Sequence, residues 1–222
     1  MKIADFELLI QKLPFRNQSF DIKKTNWKCK NQTVLIDRIF NDKEIITLNR
    51  FDLINSSYDI EEFIIKTLMW GYPTKGRGNN IDNLLKPENF EKLSETLKFY
   101  NETEISIETL KKDLKIEGLG LSTLTKFTNF LNTRINGYKA IILDNKIIEA
   151  INTGRFEELN SLVGISINNA QKKYIDYLKL IDQIATITHS QPEQVELFLF
   201  IFGRNLSEII GEECYFDYID MK

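Results

Sequence analysis

The sequence predicts a mainly α-helical chain, and three observations carry that expectation. Apolar residues recur at helical spacing from Asp59 onward, in "IEEFIIKTLMW", "PENFEKLSETLKFY", "STLTKFTNFLN" and residues 167–188. Helix-start signals precede several of these segments: Asp59 with Glu62, Pro87, and Ser190 with Glu193. No linker rich in Gly, Pro or Ser separates them. A chain of 222 residues therefore reads as one compact domain or two closely packed lobes, with a core large enough to need no staples.

The elements follow in order. The opening "MKIADFELLIQKL" is amphipathic, carries Asp5 and Glu7, and lacks the apolar stretch and cleavage site of a secretory signal. In "TVLIDRIFNDKEIITLNRF" two β-branched runs flank Asn41-Asp42-Lys43; a small N-terminal β-hairpin and a helix both fit. Asp59 and Glu62 form a capping box before the first strong helix. The loop "GYPTKGRGNN" leads to "IDNLLK", and Pro87 opens the next helix. "ISIETLKKDLK" and "STLTKFTNFLN" are two short helices with Gly118 and Gly120 between them. The box S-Q-P-E, Ser190 to Glu193, precedes "QVELFLFIF", which is apolar nearly all round and reads as a buried helix. Arg204 beyond it is expected to close an ion pair. His189 is expected to cap a helix junction, and Phe127 and Phe130 to sit in the core. Trp70 and Tyr72 are of a kind that stacks on bases, but at the end of an apolar helix they are read as core.

Composition excludes several classes. The chain is 42% hydrophobic and 27% charged, an ordinary soluble profile, and no apolar run approaches a membrane span. One histidine and two cysteines, Cys29 and Cys214, cannot supply an ordinary zinc or iron–sulfur site, so no cofactor is expected. Both cysteines are read as free thiols of a cytoplasmic protein. The net charge of −3 is unevenly spread. Residues 12–50 hold nine basic against four acidic side chains, residues 111–139 six against two, and residues 190–222 two against seven. The acids Glu212, Glu213, Asp217 and Asp220 read as a solvated face. That polarity suits an anion-seeking face with an acidic back, and equally an uneven surface with no partner.

"LKIEGLGLSTLTKFTNFLN" raises the sharpest question, because two of only ten glycines stand between helix formers. Glycine adopts positive φ freely, so Gly118 and Gly120 allow two helices to join through a very short turn. Ser122 or Thr123 then caps the second helix. The exposed amides of the turn and helix start favour an anion, with Lys111, Lys112, Lys115 and Lys126 nearby. A nucleic-acid phosphate is the natural occupant. Twenty-two residues beyond Ser122, "AIILDNKIIEAI" places Asp144 after an apolar run and at the start of a helix. That acid is an N-cap, or a carboxylate that stabilises positive charge on a sugar while its glycosidic bond breaks and orients the attacking water.

"GLGLST" and "ILDNKIIEAI" together resemble the helix-hairpin-helix DNA glycosylase superfamily, in which a G-h-G-x-x-T hairpin precedes a catalytic aspartate by roughly twenty residues. "GLGLST" and "ILD" are similar to the adenine glycosylases among them; the spacing here is slightly long. The resemblance covers Asp59 to Ile151. It implies a two-lobed helical fold with a site in the cleft: residues 59–139 as the central lobe, residues 1–58 packing with residues 140–222 as the other. It implies Asp144 as the catalytic carboxylate, and Gly118, Gly120, Ser122, Thr123 and Lys126 as DNA-contacting. Bifunctional members carry a nucleophilic lysine two residues after the second glycine, where this chain has Ser122, so a monofunctional enzyme using water is implied.

"WGYPTKGRGNNIDNLL" is similar to the asparagine-bearing segment with which 8-oxoguanine glycosylases fill the vacated stack, which implies Arg77, Asn79 and Asn80 at the DNA. The expected partner is duplex DNA with a damaged or modified base, bound by a monomer in repair or in defence against phage DNA. A non-catalytic DNA-binding module and a helical interaction protein are the rival readings.

Overall fold

The computed structural model describes residues 1–76 and 78–206. Arg77, Cys214 and the acids Glu212, Glu213, Asp217 and Asp220 lie outside the described residues.

The chain is mainly helical, as its periodicity predicts. It begins with α1 (Glu7–Lys12), β1 (Ser19–Lys23), α2 (Thr33–Phe40), β2 (Ile45–Asn49) and α3 (Arg50–Asn55). The long apolar helix α4 (Ile60–Gly71) follows, then α5 (Asn80–Leu84), α6 (Pro87–Tyr100) and β3 (Glu104–Ile105). Next come α7 (Ile107–Asp113), α8 (Leu121–Phe130), β4 (Arg134–Ile135), β5 (Tyr138–Lys139) and α9 (Asn145–Asn152). Helices α10 (Ala170–Ile187) and α11 (Pro192–Phe202) complete the described chain.

One open alternative is resolved and one local expectation is corrected. The runs flanking Asn41-Asp42-Lys43 do not form a hairpin with each other. The first is α2, whose Leu35, Ile36 and Phe40 share a buried face. Asn41 and Asp42 take φ of 46° and 62°, a left-handed stop that releases the chain into β2. The strand β2 pairs antiparallel with β1, Ser19 opposite Asn49 and Lys23 opposite Ile45. The correction concerns α11. Pro192 occupies its first turn, so the cap falls on Gln191, in a reciprocal box with Gln194. Ser190 instead bonds the Thr188 hydroxyl, and Glu193 pairs with Lys139. At α4 the Asp59 carboxylate does accept from Glu62 N, while the Glu62 side chain turns to Arg38 and Lys66.

Buried side chains form one contiguous core. The N-terminal segment closes onto the C-terminal helices. Phe6 packs on Phe198, Glu158 accepts from the amides of Ile3 and Ala4, and Gln194 donates to the carbonyl of Gln11. Beneath this contact Arg50 and Glu196, both fully buried, pair at 2.6 Å. Arg50 also donates to Gln18 and lies 5.3 Å over the Trp70 ring. Burial pushes the Glu196 carboxyl up to about 7, with the Arg50 charge opposing that rise. Arg204 pairs with Glu149 at 2.6 Å, as expected. No described helix is long and apolar enough to cross a membrane.

Candidate active site

The glycine-bearing turn has a defined geometry. Ser106 caps α7 by accepting from Thr109 N, and Asn136 accepts from Ile107 N at 2.7 Å. After α7 the chain closes a turn in which Leu119 N donates to the carbonyl of Ile116, with Gly118 in third position at φ +87°. That is the position of a turn that demands positive φ. A Cβ on Gly118 would also overlap the Asn80 carbonyl and crowd Leu84 N, so the turn is packed against α5 by backbone alone.

Gly120 differs. Its backbone is extended (φ −91°, ψ 163°), and a Cβ there would meet nothing within 4 Å. It is itself the N-cap of α8, with no side-chain capping bond. The expectation that Ser122 or Thr123 caps the helix is therefore corrected. Both lie in the first turn: Ser122 Oγ accepts from Lys126 Nζ, and Thr123 Oγ1 bonds Tyr72 OH at 2.7 Å. Thr123 N donates to the Gly120 carbonyl, the amides of Leu121 and Ser122 make no backbone hydrogen bond among the described residues, and the space beside Gly120 is open.

Asp144 is delivered by residues 140–143, a fully buried run that belongs to no helix or strand. Ala140 N donates to the Thr133 carbonyl at 3.0 Å, and side chains of two helices supply the further hydrogen bonds. From α8, Asn129 donates to the Ala140 carbonyl at 2.8 Å and Thr125 Oγ1 accepts from Leu143 N at 3.2 Å. From α10, Tyr174 and Tyr177 donate to the carbonyls of Ile141 and Ile142, each at 2.8 Å. Burial holds both phenols well above their ordinary range, so they stay protonated donors. At the end of this support Asp144 caps α9: its Oδ1 accepts from Lys146 N and Ile147 N at 3.0 and 3.1 Å. Oδ2 accepts no hydrogen bond among the described residues. The carboxylate is half-exposed.

A cavity of about 360 Å³ opens here, lined by Tyr72, Gly120, Ser122, Lys126 and Asp144 among others, with Leu143, Ile148, Ile167 and Ala170 as an apolar wall. Its size and mix of apolar and polar lining are those of a small-ligand site. A smaller pocket of about 130 Å³ shares Tyr72, Gly120 and Ser122 with it and reaches Gly118, Lys75, Gly76 and Asn80. The turn, the loop before α5 and Asp144 therefore meet on one face. Larger hollows lie elsewhere, one of about 640 Å³ against β2, but its titratable lining is only Lys43, Asp52, Tyr58 and Lys66 on an open surface.

The other sequence-predicted residues are distributed as follows. Asn79 and Asn80 are exposed at the start of α5; Asn79 is its N-cap but makes no side-chain capping bond. Lys75, in the same loop, pairs with Asp82 and donates to the Lys28 carbonyl, tying the loop to the N-terminal segment. Lys112 and Lys115 are exposed beside the turn, whereas Lys126 is 4% exposed and lies inside the cavity. Trp70 is core and donates to Gln18; Tyr72, grouped with it from sequence, is half-buried and faces the cavity. The supporting hydroxyls and amide of Thr125, Asn129, Tyr174 and Tyr177 carry no local sequence signal. They act on a segment up to thirty-five residues away. Among the described residues no group of three or more His, Cys, Asp or Glu side chains could hold a metal ion.

A protein-family model described as "Putative 8-oxoguanine DNA glycosylase OGG-like protein" matches residues 14–200, most of the chain. No curated protein and no solved structure matches.

Proposed function

We propose, because the chain belongs to the OGG-like family of DNA glycosylases, that it hydrolyses the N-glycosidic bond of a base turned out of duplex DNA into the cavity beside Asp144. The observation that carries this reading is the half-exposed carboxylate of Asp144 lining the same cavity as Gly120 and Ser122, with Oδ2 unengaged. As the bond between C1′ and the base breaks, the electron pair leaves with the base and positive charge builds on the sugar. A fixed carboxylate stabilises that charge and orients a water for attack on C1′. The water adds its oxygen to C1′ and gives up a proton through the carboxylate, the departing base takes up a proton, and an abasic site with a C1′ hydroxyl remains.

The uncapped amides of α8 and the space beside Gly120 suit a phosphate next to the target nucleotide. Asn79 and Asn80, exposed at the start of α5, suit the plug that fills the vacated stack. Ser122 stands where bifunctional members carry lysine, which supports water rather than an amine as the nucleophile. Both repair and removal of modified bases from phage DNA need this same chemistry.

The test is a set of duplexes carrying oxidised, deaminated, alkylated and hypermodified bases, treated with alkali after incubation to reveal abasic sites. Wild type is expected to release at least one base class. Asp144→Asn is expected to lose release by about 10²-fold or more while still binding DNA. Release by the variant at the wild-type rate would end the proposal. A strong borohydride-trapped adduct would overturn the water mechanism.

A further inference from the structure

The cavity is lined by a buried cation that forms no ion pair among the described residues. Lys126 is 4% exposed, on the inner face of α8. Its Nζ donates to Ser122 Oγ at 2.9 Å and to the Ser122 carbonyl at 3.2 Å, and lies 5.4 Å from the centre of the Tyr72 ring. All of these partners are neutral, and among the described residues Lys126 forms no ion pair. Other buried charges of this protein are paired: Arg50 with Glu196, and Glu193 with Lys139. Burying an ammonium without a counter-charge is costly, and such a group persists where a ligand completes it.

The backbone is also shaped to admit this side chain. Gly71, the last residue of α4, has no Cβ where one would lie 2.8 Å from Lys126 Cδ and 3.1 Å from Cε. The stem of Lys126 runs across that gap and brings its ammonium to the cavity between Ser122 and Tyr72. An ammonium carries three donors, and Ser122 occupies two.

We propose that Lys126 is a specificity-determining residue, which donates its remaining N–H to an acceptor edge of the extruded base and excludes positively charged bases. The inference rests on the cavity being the base pocket. A carbonyl oxygen or an ionised ring nitrogen on the base would accept from that third N–H. The Tyr72 ring forms one wall and gains from the same ammonium. A base alkylated at a ring nitrogen carries a positive charge and would face the buried ammonium across a few ångströms of low-dielectric space. A base presenting an amino donor in the same place would leave the third N–H unmet.

The experiment measures binding to duplexes in which a 2′-fluoro sugar holds the glycosidic bond intact. One series presents bases with carbonyl acceptors, a second amino-bearing analogues of the same shape, and a third N-methylated cationic bases. Wild type is expected to prefer the first over the other two. Lys126→Met, which keeps the length of the stem, is expected to shrink that preference by about tenfold or more, the worth of one hydrogen bond to a charged group. Gly71→Ala keeps the amine but displaces its stem, and is expected to shrink the same preference. Thermal melting identifies a variant that fails to fold, and the second variant then decides.

A loss spread equally over all three series, or an unchanged preference in both variants, overturns the proposal. So does borohydride trapping of wild type through Lys126, which would make the amine a nucleophile. If wild type releases no base from unfluorinated duplexes yet keeps the Lys126-dependent preference, the glycosylase reading falls and the inference about Lys126 stands.

Discussion

Replacing Tyr177 by phenylalanine removes one hydroxyl from the support beneath Asp144. Tyr177 is fully buried and donates to the Ile142 carbonyl at 2.8 Å; Ile142 is 1% exposed. The variant keeps the ring and its packing against Tyr174, whose centroid is 6.2 Å away. What changes is that a buried carbonyl loses its partner in a place water does not reach. Such an orphan costs about 1–3 kcal/mol. For a chain of this length that corresponds to a fall in Tm of about 2–12 °C. Urea unfolding followed by far-UV circular dichroism measures it, with the slope of the transition expected to stay constant.

The functional consequence follows from what residues 140–143 carry. Asp144 comes directly after Leu143, and among the described residues no backbone–backbone hydrogen bond holds residues 141–143. Relaxation at Ile142 shifts the carboxylate against the sugar, and a misplacement of about 1 Å can cost about 10²-fold in rate. Single-turnover base release is expected to drop while affinity for undamaged DNA holds, because α8 and its amides are untouched. A stability loss below about 0.5 kcal/mol would refute the reasoning about the orphaned carbonyl. A full stability loss with normal release would refute the link from this support to Asp144 and leave the packing account intact.

Other expectations are as direct. Asp144→Asn keeps an oxygen able to accept from Lys146 N and Ile147 N, so stability should change by no more than about 0.5 kcal/mol; Asp144→Ala loses the cap and should cost about 1 kcal/mol. Equal losses of stability in the two variants would contradict the assigned cap. Gly118→Ala places an L side chain at φ +87° and against the Asn80 carbonyl, so it should destabilise by about 1–2 kcal/mol from the backbone alone and weaken DNA binding at low salt; wild-type stability would contradict the turn. Glu196, raised from 4.5 to about 7 by burial, holds its proton more tightly folded than unfolded. Its contribution is therefore fully present below about pH 4.5 and lost as pH rises through 7. Between pH 4 and pH 8 the unfolding free energy of wild type should fall relative to Glu196→Gln, by as much as about 3 kcal/mol. A difference that is flat, or that moves the other way, would mean that pairing with Arg50 outweighs desolvation.

Much of the helical frame was legible because its signals are local. Asp59 caps α4, Pro87 opens α6, and the apolar faces of α4, α8 and α10 follow helical spacing. The turn at Gly118 was legible for the same reason: positive φ between two helix formers asks for glycine. Where the reading failed, a partner distant in sequence decided. The β-branched residues of "TVLIDRIF" suit a strand, yet burial of Leu35, Ile36 and Phe40 on one side makes them a helix. Ser122 and Thr123 have the chemistry of caps, but Lys126 and Tyr72 claim their hydroxyls. One local signal went unread. Asn136-Gly137, with φ of 48° and 84°, is the two-residue turn between β4 and β5. Strands of two residues are too short to show alternation on either side of it.

The same limit explains how the site could be half seen. Sequence placed Asp144 at a helix start and left two roles open, cap or chemistry, as though one excluded the other. The two roles are compatible, because a carboxylate has two oxygens. Oδ1 takes both amides of α9, which fixes the side-chain torsion; Oδ2 accepts no hydrogen bond among the described residues, and Asp144 lines the cavity. A cap so anchored cannot swing away when a positively charged sugar approaches, and preorganisation of that kind is what makes a single carboxylate effective. A cap needed only for stability would not require the chain before it to be buried and held by four side chains from two other helices, since a cap on an exposed loop performs that task. The support under residues 140–143 is intelligible as the means of holding a carboxylate still.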